Sequence, residues 1–145
     1  MTERSEGLRV VEAEIGRLVR RVKRMIGERA ASVHPELQGM SYLILGWIKQ
    51  NGPARASAIV EAFRIDKGAL SRHLQHLDDL GLIVRTPDPC DGRASLVEIS
   101  TAGNARITEV DDAQRRLNEQ LLDDWSVAEI EELGSQLKRY NAALD

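Results

Sequence analysis

The sequence is poor in the residues that support disulfide, aromatic and membrane structure. Its 145 residues include one cysteine, two tryptophans, two tyrosines and one phenylalanine. One cysteine cannot form an internal disulfide, which suits a reducing cytoplasm. Because aromatic residues are so few, the core must be built from leucine, isoleucine, valine and alanine. The longest nearly apolar stretch, residues 40–48, is far too short to span a bilayer, so we expect no membrane partner.

The sequence also lacks the patterns of a catalytic or metal site. No nucleophile is spaced with a base and an orienting acid, and no glycine-rich phosphate loop is present, so we predict no enzyme and no cofactor. His73 and His76 stand three residues apart on a predicted helix, but no cysteine or carboxylate cluster completes a tetrahedral site with them. The N-terminus has no basic stretch followed by an apolar one, so we expect no signal peptide and a cytoplasmic location.

Charge is distributed unevenly along the chain. The formal net charge is −3, which by itself argues mildly against a nucleic-acid partner. Residues 1–100, however, carry 15 Lys and Arg against 13 Asp and Glu, whereas residues 101–145 carry 5 against 10. The first part of the chain is therefore compatible with a local anionic partner.

Amphipathic helices are predicted at both ends of the chain. Residues 8–31 form the first, a second begins after Thr101 as its N-cap, and Ser126 with Glu129 has the spacing of a capping box for a third. Each has one apolar stripe, and the three stripes are Val11, Ile15, Leu18, Val22 and Met25; Ile107, Val110, Leu117 and Leu121; and Ile130, Leu133, Leu137 and Tyr140.

The middle of the chain reads as three helices and a hairpin. Helices are predicted at about 37–50, at about 54–62 with Ala58, Ile59 and Ala62 buried, and at 66–80 with Asp66 as N-cap and Gly81 just after the C-terminus. Two β-rich segments, 82–87 and 95–100, flank the polar sequence DPCDGR and form a hairpin. This order predicts a winged helix-turn-helix.

The fold class is therefore mainly α with a small β-wing, in a single domain over residues 1–145. We expect residues of about 37–100 to form a DNA-binding part and residues of about 8–33 and 101–145 to form dimerisation helices. A unit of about 60 residues has no obvious place to bury the terminal stripes, and a symmetric dimer is the commonest way to cover them. A two-fold dimer also suits two DNA half-sites about one helical turn apart.

The predicted helix 66–80 carries side chains that suit DNA. Its leucines fix the buried face, which leaves Lys67, Ser71, Arg72 and Gln75 pointing outward near the N-terminal half. Such side chains reach base edges and phosphates in a major groove. An ordinary amphipathic helix with a polar face is the alternative interpretation of this helix alone.

Residues 66–103, DKGALSRHLQHLDDLGLIVRTPDPCDGRASLVEISTAG, resemble the core of the MarR family of dimeric winged helix-turn-helix regulators. The shared features are a Ser-Arg pair at the centre of the recognition helix, a Gly-Leu followed by an arginine, a wing of the form D-P-x-D-x-R and a strand that runs into Thr-Ala-Gly. They cover about 40 contiguous residues, and the helix order of the whole chain agrees. The resemblance implies binding to double-stranded DNA as a homodimeric regulator, more often a repressor than an activator.

The resemblance also implies roles for single residues. Ser71 and Arg72 would contact the major groove, and Arg93 would enter the minor groove from the wing with Asp91 fixing its guanidinium. Many relatives respond to small aromatic ligands near the junction of the two parts, where His34, Tyr42 and Trp47 are the candidate lining residues; core packing for Trp47 and a surface or capping role for His34 are the competing interpretations.

Two other classes of function stay open at this stage. The recognition helix and wing carry five basic and five acidic residues, which also suits a winged-helix module for protein–protein contact. A thiol-based redox switch through Cys90 is the other alternative, although Asp88 and Asp91 oppose the thiolate that Arg93 favours.

Overall fold

The computed structural model describes residues 2–145 and confirms the predicted fold class. Over that range it has six helices and three strands. The helices are α1 (Glu3–Val33), α2 (Gly39–Asn51), α3 (Ala56–Phe63), α4 (Lys67–Asp79), α5 (Thr101–Leu121) and α6 (Val127–Ala142); the strands are β1 (Ala54–Arg55), β2 (Ile83–Asp88) and β3 (Asp91–Ile99). The chain separates into two compact units, one up to Val110 and one from Asp111 to Asp145.

The first unit is built around an aliphatic core. Leu70, Leu74 and Leu77 of α4 are buried at the predicted three- and four-residue spacing, and Ile44, Leu45 and Ile48 of α2 are buried with them. Complete burial of one such side chain stabilises the fold by roughly 1.5–3 kcal/mol relative to exposure. Because the leucines of α4 face this core, the opposite side of the helix is exposed to solvent.

The short helix α3 packs differently from the prediction. Ile59 is fully buried as expected, but Ala58 and Ala62 are exposed, and Val60 and Phe63 pack against the core instead. The larger apolar side chains remove more surface from water, so they determine which face turns inward. The strand β1, which immediately precedes α3, was not predicted, since two residues are too short for any periodicity.

The three strands form an antiparallel sheet in the order β1-β3-β2. Ala54 pairs with Val97 and Arg55 with Leu96, so the short strand β1 lies along β3. In the hairpin, Asp88 pairs with Asp91 after an irregularity at Pro87, which makes the turn shorter than the predicted DPCDGR loop. The hairpin of β2 and β3 is called the wing below, and residues 88–93 are called the wing tip.

The start of α5 is fixed by Ser100 rather than by the predicted cap Thr101, which is the first helical residue. The Ser100 Oγ accepts a hydrogen bond from the Gly103 N–H at 2.9 Å and donates one to the Gly81 carbonyl at 2.7 Å. A Cβ on Gly103 would overlap the Leu82 carbonyl oxygen, so only glycine allows this approach. Gly81 itself has φ +72°, as expected of a residue that ends a helix.

The second unit has a well-capped helix and no core of its own. Ser126 and Glu129 form the predicted capping box. No residue from 111 to 145 is buried, and the apolar stripe of α6 lies open to solvent. Its members, called the tail stripe below, are Ile130, Leu133, Leu137 and Tyr140, each 40–47% exposed. Across residues 2–145, no helix combines the length and the apolar character needed to cross a membrane.

Candidate nucleic-acid interface

The start of helix α4 is fixed by the turn that precedes it. Arg64 adopts the left-handed conformation (φ 51°, ψ 43°) and ends α3. Asp66 then caps α4 as predicted, because its Oδ1 accepts a hydrogen bond from the Ala69 N–H at 2.8 Å. The turn between α3 and α4 therefore consists of Arg64, Ile65 and Asp66.

The polar face of α4 is open to solvent. Lys67, Ser71, Arg72 and Gln75 are all exposed, as the leucine spacing requires. The Gln75 Nε2 donates to the Asp79 Oδ1 at 2.8 Å, which is a contact along the helix surface. The structure therefore brings the four predicted residues onto one accessible face.

A groove lies between this face and the wing. It has a volume of about 390 Å³ and is lined from α4 by Lys67 and Ser71, from β1 by Arg55 and from the wing by Arg85 and Ser95. Arg85 also lies 3.9 Å from the Asp78 carboxylate. Its other lining residues are mainly apolar, and two of its three cationic residues are paired, Arg55 with Asp88 and Arg85 with Asp78.

The wing tip holds Arg93 in solvent, but not through the predicted contact. The Asp91 Oδ1 accepts a hydrogen bond from the Arg93 backbone N–H at 3.1 Å, whereas a contact with the guanidinium was expected. A carboxylate two residues ahead closes a local turn over the backbone more readily than it reaches a long side chain. Within residues 2–145 the Arg93 guanidinium has no ion-pair partner, so it is available to an external anion.

The burial of Asp88 at the base of the wing tip, and its pairing with Arg55, were not predicted from the sequence. Asp88 is 7% exposed, its Oδ1 accepts a hydrogen bond from the Cys90 N–H at 2.8 Å, and its Oδ2 accepts one from the Arg55 Nε at 2.6 Å. The Cys90 N–H and the Arg55 guanidinium both stabilise the carboxylate and lower the pKa of Asp88. Arg55 is 33 residues away, and no local pattern connects the two.

The recognition helix is also tied to α2. The His73 Nδ1 lies 2.8 Å from the Oγ of Ser41, a completely buried hydroxyl. Burial lowers the pKa of His73, and the neighbouring His76 and Arg72 lower it further. No group of three or more His, Cys, Asp or Glu side chains that suits a metal ion occurs among residues 2–145.

The candidate ligand residues do not line the groove beside α4. Tyr42 is buried, Trp47 packs partly against the core, and the His34 Nδ1 accepts a hydrogen bond from the Glu36 N–H at 3.1 Å. Cys90 is free and exposed at the wing tip. A ligand site formed by His34, Tyr42 and Trp47 stays a prediction.

Comparisons with known proteins identify relatives over nearly the whole chain. A sequence model of the MarR family matches residues 36–94. The uncharacterised helix-turn-helix transcriptional regulator YxaD of Bacillus subtilis is 35% identical over 136 residues, which are 92% of each chain. The transcriptional repressor NicR of Pseudomonas putida is 24% identical over 85 residues, 59% of this chain and 54% of NicR. A crystal structure of a cysteine-to-serine mutant of MarR from E. coli complexed with operator DNA superposes with a TM-score of 0.64 at 24% identity, over 88% of this chain and 93% of that one.

Proposed function

The chain belongs to the MarR family of transcriptional regulators, and we propose that it acts as a homodimer that binds duplex operator DNA with sequence specificity. The observation that carries this proposal is the pairing of two features in one unit. The exposed face of α4 presents Lys67, Ser71, Arg72 and Gln75, and the wing tip presents the Arg93 guanidinium, which has no ion-pair partner within residues 2–145. Its named relatives are transcriptional regulators rather than enzymes.

We assign the recognition helix to the major groove. Arg72 has the fork that makes bidentate contacts with a guanine, and Ser71 and Gln75 suit base edges or phosphates. Lys67, in the first turn of α4, suits a phosphate. The positive charges of Lys67 and Arg72, both exposed on α4, add attraction that does not depend on sequence.

We assign the wing to the minor groove. A narrow A·T-rich minor groove concentrates negative potential and attracts an inserted arginine. Arg93 is exposed and unpaired, so entering that groove breaks no existing ion pair. Asp91 contributes by shaping the backbone that carries Arg93.

Dimerisation is proposed from the uncovered apolar stripes. On α1, Val11, Leu18 and Val22 are 39–51% exposed, and the tail stripe of α6 is similarly open. Contiguous apolar surface of this kind marks an interaction site. A two-fold dimer would cover the apolar stripes of α1 and α6. It would also place two copies of α4 at the half-sites of a palindromic operator.

We propose repression as the direction of regulation and the cytoplasm as the compartment. The named function of NicR supports repression, although NicR aligns with only part of this chain. Release of the operator by a small aromatic ligand at His34, Tyr42 and Trp47 extends the proposal.

The test begins with purified protein and genomic duplex fragments from the source organism. The fragments that the protein captures are isolated. Their binding is then compared with that of scrambled duplexes by fluorescence anisotropy at several salt concentrations. We expect tight, sequence-dependent binding. The logarithm of the association constant should fall linearly with the logarithm of salt concentration. Absent or salt-independent binding to duplex DNA would contradict the proposal and favour the protein–protein module.

Substitution of Arg72 tests the assignment of the recognition helix. Arg72→Ala should weaken binding to the captured fragment by roughly 1–3 kcal/mol. The ratio of the affinities for the captured fragment and the scrambled duplex should therefore decrease. Arg115→Ala is the matched control, since Arg115 forms an exposed pair with Asp112 on α5. Equal losses on specific and scrambled DNA would show that Arg72 contacts only phosphate.

A further inference from the structure

We propose that Arg55 is a positioning residue for the wing, because its ion pair with Asp88 sets where Arg93 meets DNA. This inference rests on the DNA-binding function proposed above and adds to it a residue outside the recognition helix and the wing. Arg55 belongs to β1, which runs directly into α3. One side chain thereby links the helix-turn-helix to the wing tip.

The contact spans the width of the sheet. The strand order is β1-β3-β2, so the Arg55 side chain crosses β3 to reach Asp88 at the end of β2. Both the Nε and the Nη2 of Arg55 bind the Asp88 Oδ2, the Nε at 2.6 Å. A planar guanidinium that places two nitrogens on one carboxylate oxygen constrains direction as well as distance, which a lysine would not do.

Burial makes the pair decisive for the conformation of the wing tip. Asp88 is 7% exposed, whereas residues 89–93 are all exposed, so apolar packing does not hold the tip. Without Arg55 the carboxylate would be a poorly compensated buried charge, and the simplest relief is for Asp88 to turn towards water. That movement would also release the Cys90 N–H from the Asp88 Oδ1.

The effect reaches Arg93 through adjacent backbone contacts. Asp88 holds the N–H of Cys90, and Asp91 holds the N–H of Arg93. The two turns follow each other within six residues, so a shift at Asp88 displaces the Cα of Arg93. Arg55 therefore acts on DNA through Arg93.

A double-mutant cycle separates positioning from direct contact. Arg55→Gln and Arg93→Ala should each weaken operator binding by about tenfold, and the double variant should bind no more weakly than Arg93→Ala alone. Additive losses would overturn the proposal. So would a salt dependence that falls by one further contact when Arg55→Gln is added to Arg93→Ala, because Arg55 would then contact DNA itself.

Two further variants sharpen the cycle. Asp88→Asn removes the charge from the other partner and should reproduce the loss seen in Arg55→Gln, also without effect in the Arg93→Ala background. Arg115→Gln makes the same charge change at an exposed pair on α5 and should leave operator affinity unchanged. Thermal unfolding of all variants checks that each one folds.

The only cysteine allows a measurement without DNA. A nitroxide attached to Cys90 reports the mobility of the wing tip in the free protein. Arg55→Gln and Asp88→Asn should increase that mobility, whereas Arg93→Ala should not. Failure of the proposed function would appear as a wild-type protein that binds no duplex DNA. Failure of this inference would appear as a wild type that binds while Arg55→Gln changes neither the spectrum nor the affinity.

Discussion

Both compact units contain leucines at helical spacing, but these leucines are buried in the first unit and exposed in the second. In the unit up to Val110, Leu70, Leu74 and Leu77 follow helical spacing and are 0–3% exposed. In the unit from Asp111 onward, Leu133 and Leu137 follow the same spacing and are 40–47% exposed. Periodicity therefore identifies an apolar face, but it does not identify what covers that face.

The difference depends on what surrounds each helix. Helix α4 has α2, α3 and the wing to pack against, so its leucines are removed from water within one chain. Helix α6 has no buried residue anywhere along its length. Apolar surface of this extent is unfavourable in water, which supports the dimer proposed above as the means of covering the tail stripe.

The largest effect is expected when negative charge is placed on the tail stripe. The double variant Leu133→Asp with Leu137→Asp should raise the dimer dissociation constant by about 100-fold or more, since burial of each leucine is worth roughly 1.5–3 kcal/mol and an aspartate there must also be desolvated. Sedimentation equilibrium measures the dissociation constant.

The control for that variant lies on the opposite face of the same helix. Glu131→Gln changes charge outside the tail stripe and should leave the dimer intact. A Leu133→Asp and Leu137→Asp protein that sediments as a normal dimer would show that the tail stripe does not form the interface.

In the first unit, the corresponding change acts on folding rather than on association. Leu77 is completely buried, and Leu77→Ala should lower the free energy of unfolding by about 2–5 kcal/mol. Urea unfolding at one fixed protein concentration measures the loss, and the native variant should still sediment as a dimer. If Leu77→Ala changed the oligomeric state and left the free energy of unfolding unchanged, the leucines of α4 would serve association rather than folding, contrary to this prediction.

Much of the fold could be predicted because its local signals agree with its packing. Leucine spacing identified α4, Asp66 and Gly81 marked its ends, and Ser126 marked the start of α6. The predictions were wrong where contacts between distant residues determine the structure. The strand β1 has only two residues, and in α3 the larger Val60 and Phe63 pack against the core in place of Ala58 and Ala62. Helix α5 is capped by Ser100 instead of Thr101, because the Ser100 hydroxyl also donates a hydrogen bond to the Gly81 carbonyl.

The same distinction between local and long-range contacts applies to the candidate site. The exposed face of α4 follows from helix geometry once the leucines are known, so its four residues were predictable. The wing tip was predictable in composition but not in contacts, because Asp91 binds backbone and the partner of Asp88 comes from β1. An ion pair between residues 55 and 88 has no signature in a single sequence.

The smallest effect that we expect concerns pH and lies entirely within the first unit. Burial lowers the pKa of His73 in the folded state below its ordinary value of 6.5. As the pH falls through about 6.5, the unfolded chain therefore takes up a proton that the folded protein resists, and the free energy of unfolding decreases. Above that pH, His73 is neutral in both states and contributes no pH dependence.

Two variants assign this pH dependence to His73. His73→Asn keeps a polar partner for Ser41 but cannot titrate, so its stability should fall less than that of the wild type between pH 7 and pH 5 in urea unfolding. Ser41→Ala removes the hydrogen bond and lowers stability at every pH, yet it should retain the pH dependence, because burial is the largest cause of the lowered pKa. Parallel curves for wild type and His73→Asn would assign the pH dependence to another group and leave His73 with a packing role between α2 and α4.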